Sequence, residues 1–354
     1  MQVDYLIIGQ GICGSFLSWY LQKAGTPFIV IDEQQPNTAS VTAAGIINPV
    51  TGRRIVKTWL IEEILPFALQ AYGSLGNELQ LSAIEQKNSI DFFPTAQMRQ
   101  AFLDRYATDT QFLSLPQNEN DWLDFFSYDL GYGIIDPCYL VNLPLLLPAY
   151  RSLLKSRQQL IEEKFQLEQL TISDDHIQYH SITAKAIIFC DGIASATNPW
   201  FKNLPFAPNK GEMLLVESPG IPSDHIYKRG LNLVPWKEDT FWVGSSYEWD
   251  YEHDQPTAAF RERTEAVLKT WLKRPFNIID HRASLRPATL ERRPFVGFHP
   301  QYSSLGIFNG MGTKGCSLAP FFANQLVNHM VNGSPIHPEA DVKRFQRVLM
   351  RNMK

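Results

Sequence analysis

The chain opens on an apolar run, Val3-Asp4-Tyr5-Leu6-Ile7-Ile8, that leads into Gly9-Gln10-Gly11-Ile12-Cys13-Gly14, and Phe28-Ile29-Val30-Ile31-Asp32 closes the unit. Strand, glycine turn, helix, second strand and terminal acid follow in the order of a βαβ dinucleotide-binding unit. Gly9 permits the tight turn, Gly11 lets the backbone approach a pyrophosphate, and Gly14 lets the helix pack close against the strand. The helix start at Ile12 then points free N–H groups at the phosphates. Asp32, followed by Glu33, stands near the offset of about twenty residues at which a carboxylate accepts hydrogen bonds from ribose hydroxyls and repels a 2′-phosphate. This favours FAD or NAD over NADP. Gly25 and Thr26-Pro27 predict the helix end, and a purely structural glycine turn is the alternative.

A length of 354 residues predicts about two domains with a substantial core. Acidic residues outnumber basic ones by 36 to 32, which argues against a nucleic acid or an anionic membrane as partner. Cys13, Cys138, Cys190 and Cys316 are dispersed with no C-x-x-C pair, so neither structural zinc nor a disulfide framework is expected, and a reducing cytoplasm fits. The first strand starts at Val3, which leaves no room for a signal peptide, and no segment has the ~18 uninterrupted apolar residues of a membrane span. The histidines lack metal-ligand spacing, so no metal is expected.

After Asp32 a loop is predicted through Ala43-Ala44-Gly45 and Asn48-Pro49-Val50-Thr51-Gly52. Lys57 to Leu79 reads as helix, Ile84 to Tyr132 as antiparallel strands or irregular structure, and Tyr139 to Arg157 as helix. Ile187-Ile188-Phe189-Cys190-Asp191-Gly192 reads as a buried strand ending in a turn, and Met213 to Tyr247 as strands alternating with turns. Thr257 to Leu272 has helical spacing, and Ile307 to Gly315 is a strand into a glycine loop before a helix from Cys316 to Val331 that Gly333 stops.

Several blocks, in order along the chain, resemble the D-amino-acid oxidase, glycine oxidase and sarcosine oxidase group of FAD-dependent oxidoreductases. Beyond the fingerprint, they are Thr42-Ala43-Ala44-Gly45, Asp136-Pro137-Cys138-Tyr139-Leu140, Cys190-Asp191-Gly192, Pro208-Asn209-Lys210-Gly211-Glu212, and Val234-Pro235 with Val243-Gly244-Ser245-Ser246-Tyr247-Glu248. The most specific is Ser284-Leu285-Arg286-Pro287-Ala288-Thr289-Leu290-Glu291-Arg292-Arg293-Pro294-Phe295-Val296-Gly297. The resemblance implies an α/β fold: a Rossmann-type FAD-binding domain (1–50, 136–212 and 285–354) with an interleaved α+β substrate domain on an antiparallel sheet (51–135 and 213–284). Residues 49–135 match poorly, and there substrate selection is expected.

The implied cofactor is noncovalent FAD, since no cysteine lies between Cys190 and Cys316 for attachment near the Arg-Pro block. Its contacts would be Gly9, Gly11, Ile12, Gly14, Asp32, Glu33, Ala43, Ala44, Gly45, Asp191, Gly192, Gly310, Gly312, Thr313, Lys314 and Gly315. Gly312-Thr313-Lys314-Gly315 before the last helix offers a helix N-terminus and a cation, Lys314, for charge that develops on the reduced flavin; a solvated lysine is the alternative. Arg286 is the candidate for gripping a substrate carboxylate, with a structural ion pair to Glu291 or Asp280 as the competing explanation. Arg53 and Arg54 are further candidates for an anionic substrate, while Tyr247 and Tyr132 are possible hydroxyl donors. The strand lysine of sarcosine oxidases is replaced near Phe241-Trp242-Val243, which puts fast reaction with oxygen in doubt.

The expected reaction transfers hydride from the C–H beside the amine of a small amino acid or N-methyl amino acid to flavin N5, giving an imine that water hydrolyses. No second G-x-G-x-x-G is present to hold nicotinamide, so electrons would come from the substrate and pass to oxygen or to a quinone or other carrier. Alternatives are a 2-hydroxy-acid dehydrogenase, with His281 or His299 as conceivable bases, a tRNA-modifying FAD oxidase, and a non-catalytic flavoprotein.

Overall fold

The computed structural model describes residues 1–173 and 175–350. Its first sheet is built around Gln2–Ile8, which pairs in parallel with Phe28–Ile31 on one side and Ile182–Phe189 on the other. Leu160–Ile161 extends this sheet beyond Phe28–Ile31, and Leu305–Asn309 extends it beyond Ile182–Phe189, both in parallel. These strands are apolar nearly throughout because both faces are covered. Ile7, Val30 and Ile188 point into a core with Phe16, Tyr72, Tyr150 and Phe322 from four helices, Ile12–Lys23, Ile61–Leu79, Leu143–Ser156 and Gly315–Asn332. Their neighbours Leu6, Ile29 and Ile187 point the other way, against Phe201, Val342 and Leu349.

A second sheet of eight strands runs in the order Asn277–Arg286, Asn209–Glu217, Thr240–Gly244, Leu231–Lys237, Ile226–Arg229, Ser89–Phe92, Tyr132–Ile135 and Leu113–Ser114. All its pairs are antiparallel except Ile226–Arg229 with Ser89–Phe92. Side chains alternate across it as strand geometry requires. Leu214, Val216, Phe241 and Val243 pack onto Phe260, Leu268 and Trp271 of the helix Ala258–Trp271. Met213, Leu215, Val234 and Trp242 point the opposite way and meet Ala44 and Ile46, so this face looks toward the glycine-rich end of the first sheet. The expected α/β class, a Rossmann-type sheet beside a largely antiparallel one, is the fold observed.

Three local expectations are corrected. Tyr139–Val141 is a strand pairing with Ile46–Ile47 and Ile84–Gln86, and the helix starts only at Leu143, where Asn142 Oδ1 accepts the Leu145 N–H at 3.2 Å. The stretch from Ile84 to Tyr132 contains a helix, Ala96–Thr108, capped by Thr95; Phe102 is its only buried residue, so the sequence carries no apolar stripe to announce it. The helix expected from Lys57 starts at Ile61, because Val56–Lys57 pairs with Val50–Thr51 first.

Candidate functional site

A cavity of about 560 Å³ runs from the first βαβ turn to the face of the second sheet. Gly9 has φ +97°, and a Cβ there would lie 2.7 Å from the Cys190 carbonyl oxygen; a Cβ on Gly14 would lie 1.8 Å from the Gly9 carbonyl oxygen. Both glycines are therefore obligatory for the turn, Gly9 lining the cavity and Gly14 supporting it from behind. Gly11 and Ile12 also line it, and the Ile12 N–H donates to Ser40 Oγ at 3.0 Å. Ser40, which no sequence motif singles out, reaches this helix start from the short helix Ala39–Thr42 after the second strand.

Asp32 and Glu33 line the same end. Asp32 Oδ2 accepts the Gln10 N–H at 2.8 Å, while Oδ1 accepts the Gln34 N–H at 2.9 Å and Arg151 Nη1 at 2.6 Å. Of roughly four acceptor positions on a carboxylate, one on Oδ2 is left for a ribose hydroxyl. Arg151 is buried and also donates to Glu162 Oε1 and to the Asp32 carbonyl. It was missed because it belongs to a helix far along the chain.

Ala43, Ala44 and Gly45 form one wall, where Gly45 has φ +85° and a Cβ on it would fall 2.1 Å from the Val141 carbonyl oxygen. Trp242 Nε1 donates to the Thr42 carbonyl at 2.9 Å and ties that wall to the second sheet. Asp191 and Gly192 line the cavity beside Gly9. Asp191 Oδ1 accepts from Ser195 Oγ and from Asn309 Nδ2, and burial pushes its carboxyl up to about 6.

Gly312, Thr313 and Gly315 line the cavity at the start of the helix Gly315–Asn332, but Gly310 and Lys314 do not. A Cβ on Gly310 would meet Thr289 Cγ2 at 2.8 Å, so that glycine serves packing. Lys314 is not among the residues that line the cavity, and burial pushes its ammonium down to about 8.

Arg286 lines the end formed by the second sheet. Its Nη1 donates to Asn209 Oδ1 at 2.7 Å and to the Ser246 carbonyl at 3.2 Å, and the Tyr247 ring lies 5.4 Å from its Cζ. Glu291 pairs with Arg344 and Asp280 with Arg282, so neither acid proposed as a structural partner is on Arg286. Among the described residues no carboxylate pairs with it. Tyr247 is half exposed, outside the cavity lining but against Arg286. Arg53 and Arg54 are exposed on the turn between Val50–Thr51 and Val56–Lys57, away from the cavity, because the hairpin directs them to solvent. Tyr132 is buried with its hydroxyl donating to the Asn118 carbonyl.

Neither histidine reaches the cavity. His281 Nε2 is 2.8 Å from Glu212 Oε2 with its pKa lowered by burial, and His299, lowered to about 4 by burial, accepts the Gln301 N–H on Nδ1. No His is among the described residues that line it. No helix of the described residues is long and apolar enough to cross a membrane, and no group of three His, Cys, Asp or Glu among them could hold a metal ion.

Residues 4–328 match the family model of the FAD dependent oxidoreductases, DAO. The glycine oxidase of Bacillus licheniformis is 24% identical over 361 residues, covering 95% of each chain. The glycine oxidase of Bacillus subtilis (strain 168) is 28% identical over 167 residues, spanning 44% of this chain and 45% of that one. Among solved structures, glycine oxidase from Geobacillus kaustophilus superposes with a TM-score of 0.78 over 100% of both chains at 18% identity, a likeness of fold. The family match over most of the chain, together with a glycine cradle that fits a dinucleotide, makes this protein a member of the DAO family of FAD-dependent oxidoreductases, with FAD as its cofactor.

Proposed function

We propose that this chain oxidises the C–N bond of a small amine that carries a carboxylate, an amino acid or N-methyl amino acid. The observation that carries the reading is Arg286, a partly buried cation on the cavity wall with no carboxylate paired to it among the described residues. A guanidinium so placed grips an incoming carboxylate through two parallel hydrogen bonds and fixes where the α-carbon sits. Met213, Trp242 and Ile46 supply an apolar wall beside it that excludes water from the reacting carbon. Bound FAD supplies the two-electron acceptor for the hydride equivalent leaving that carbon. The amine gives up a proton, and water hydrolyses the resulting imine to an oxo acid and a free amine or ammonia.

The glycine oxidases among the relatives act in the same sense. A 2-hydroxy acid would need a base for its hydroxyl proton, and His281 and His299, the candidates for that task, are held elsewhere. The cofactor contacts follow the cavity: Gly9, Gly11, Ile12, Asp32 and Glu33 at the nucleotide end, with Ala43 to Gly45, Asp191, Gly192, Gly312, Thr313 and Gly315 toward the ring. Noncovalent binding fits Cys13, Cys190 and Cys316, which line the cavity as thiols whose pKa burial raises. All four cysteines are unpaired, as the cytoplasm would keep them. In domain terms, the first sheet with 1–50, 136–212 and 285–354 would hold FAD and the second sheet the substrate, except that the strand Asn209–Glu217 and the Arg286 end of Asn277–Arg286 pair within the second sheet and go with it.

The test is an anaerobic screen of the purified yellow protein against amino acids, N-methyl amino acids and 2-hydroxy acids. Bleaching of the flavin absorbance by members of the first two classes supports the reading. Bleaching by hydroxy acids alone sinks it.

A further inference from the structure

We propose that Asn209 and Gly211 are positioning residues that set the Arg286 guanidinium for a substrate carboxylate; this rests on the role given to Arg286 above. Asn209 and Arg286 are direct partners across the antiparallel pair of Asn209–Glu217 with Asn277–Arg286, so their side chains leave the sheet on one face. Gly211, two residues on, shares that face. The guanidinium lies across it: a Cβ on Gly211 would fall 1.7 Å from Arg286 Nη2, 2.1 Å from Cζ and 2.6 Å from Nη1. Gly211 is not among the glycines with positive φ, so its backbone does not require glycine. The neighbour that does is Arg286.

Asn209 is a costly choice for stability. It is fully buried, its Oδ1 accepts from Arg286 Nη1 at 2.7 Å, and its Nδ2 has no partner among the described residues. A stranded amide donor in a protein interior is destabilising, and an apolar side chain of similar size would avoid it. What Asn209 supplies is a hydrogen bond without a charge. An aspartate there would neutralise Arg286 inside the protein and leave nothing to attract an anionic ligand. The second acceptor, the Ser246 carbonyl at 3.2 Å, is neutral too. Neutral acceptors thus hold one end of the fork, while Nη2 has no hydrogen-bond partner among the described residues.

The experiment titrates the holoenzyme with benzoate, and with benzamide as the uncharged control, following the flavin absorbance and recording thermal melts beside it. The proposal expects Arg286→Met to abolish the preference for benzoate. Asn209→Ala and Gly211→Ala should each weaken benzoate about tenfold with benzamide unchanged, and Asn209→Asp should weaken it about a hundredfold. Asn209→Leu, which replaces the amide by an apolar side chain of similar size, should melt at or above the parent temperature, which a residue serving the fold alone through its hydrogen bond would not do. Parent-like benzoate affinity in Asn209→Ala and Gly211→Ala, with Arg286→Met impaired, overturns the positioning role and leaves the Arg286 reading intact. Asn209→Leu that fails to fold or melts lower assigns that residue to the fold and overturns its part. A parent, or an Arg286→Met variant, in which benzoate is treated as the parent treats benzamide or as the parent treats benzoate, respectively, overturns both.

Discussion

Arg151 Nη1 lies 2.6 Å from Asp32 Oδ1, joining the helix Leu143–Ser156 to the acid that ends the second strand of the nucleotide-binding unit. Arg151 is nearly inaccessible and reaches Glu162 with Nη2, so the acid is held rigid before any ribose arrives. Arg151→Met removes the charged donor that Asp32 and Glu162 share, and both acids keep access to solvent, so it should lower stability by about 1–3 kcal/mol and loosen the flavin. Thermal melts and the flavin retained through gel filtration check it; parent-like values in both contradict it.

Asp191 makes stability depend on pH. Its folded carboxyl is raised to about 6 from an ordinary 3.8, so the folded state keeps its proton to higher pH than the unfolded chain does. The stabilisation is fully present below the unfolded value and is lost as pH rises to the folded one, for roughly 1–3 kcal/mol in all. Asp191→Asn, which cannot ionise, should gain stability relative to the parent as pH rises from about 4 to about 6. Urea midpoints across that window check it, and a constant difference contradicts it.

Gly14→Ala tests the cradle. A Cβ 1.8 Å from the Gly9 carbonyl oxygen forces helix and strand apart, so the turn that faces the pyrophosphate must open. FAD affinity, read by flavin fluorescence on reconstitution, should fall at least about tenfold, roughly 1.4 kcal/mol. Unchanged affinity contradicts the geometry.

Glu212 anchors the start of the helix Ala258–Trp271. It is fully buried and accepts the Thr257 N–H at 2.7 Å, Thr257 Oγ1 at 2.8 Å and His281 Nε2 at 2.8 Å, with Lys210 Nζ at 3.2 Å. Glu212→Ala leaves the buried Lys210 ammonium without its carboxylate and should cost about 3–5 kcal/mol. The double variant Lys210→Met/Glu212→Leu should recover most of that loss. Chemical denaturation of the single and double variants measures the coupling, and strictly additive losses contradict it.

The turn from Gly9 to Asp32 could be read from the sequence because its parts are local: two apolar strands, three glycines and an acid at fixed spacing. Ser40, Arg151 and Asn209 could not, since they meet their partners from 28, 119 and 77 residues away. Arg286 was legible as a residue, but that Glu291 and Asp280 are engaged by Arg344 and Arg282 is decided only by packing. Arg53 and Arg54 resembled anion ligands until the hairpin turned them outward, and Lys314 stands between the cavity-lining Thr313 and Gly315 without itself joining the lining. Tyr139–Val141 read as helix because its apolar residues run straight into those of the helix behind it, and only its two partner strands separate them.

The central claim is that Arg286 binds the substrate carboxylate. The most direct measurement is anaerobic stopped-flow reduction of the flavin by the best amino acid from the screen, in the parent and in Arg286→Met. The account predicts that the variant retains its flavin while its apparent Kd for that amino acid rises by the equivalent of about 2–5 kcal/mol. An apparent Kd equal to the parent's, with the flavin fully bound, would contradict it.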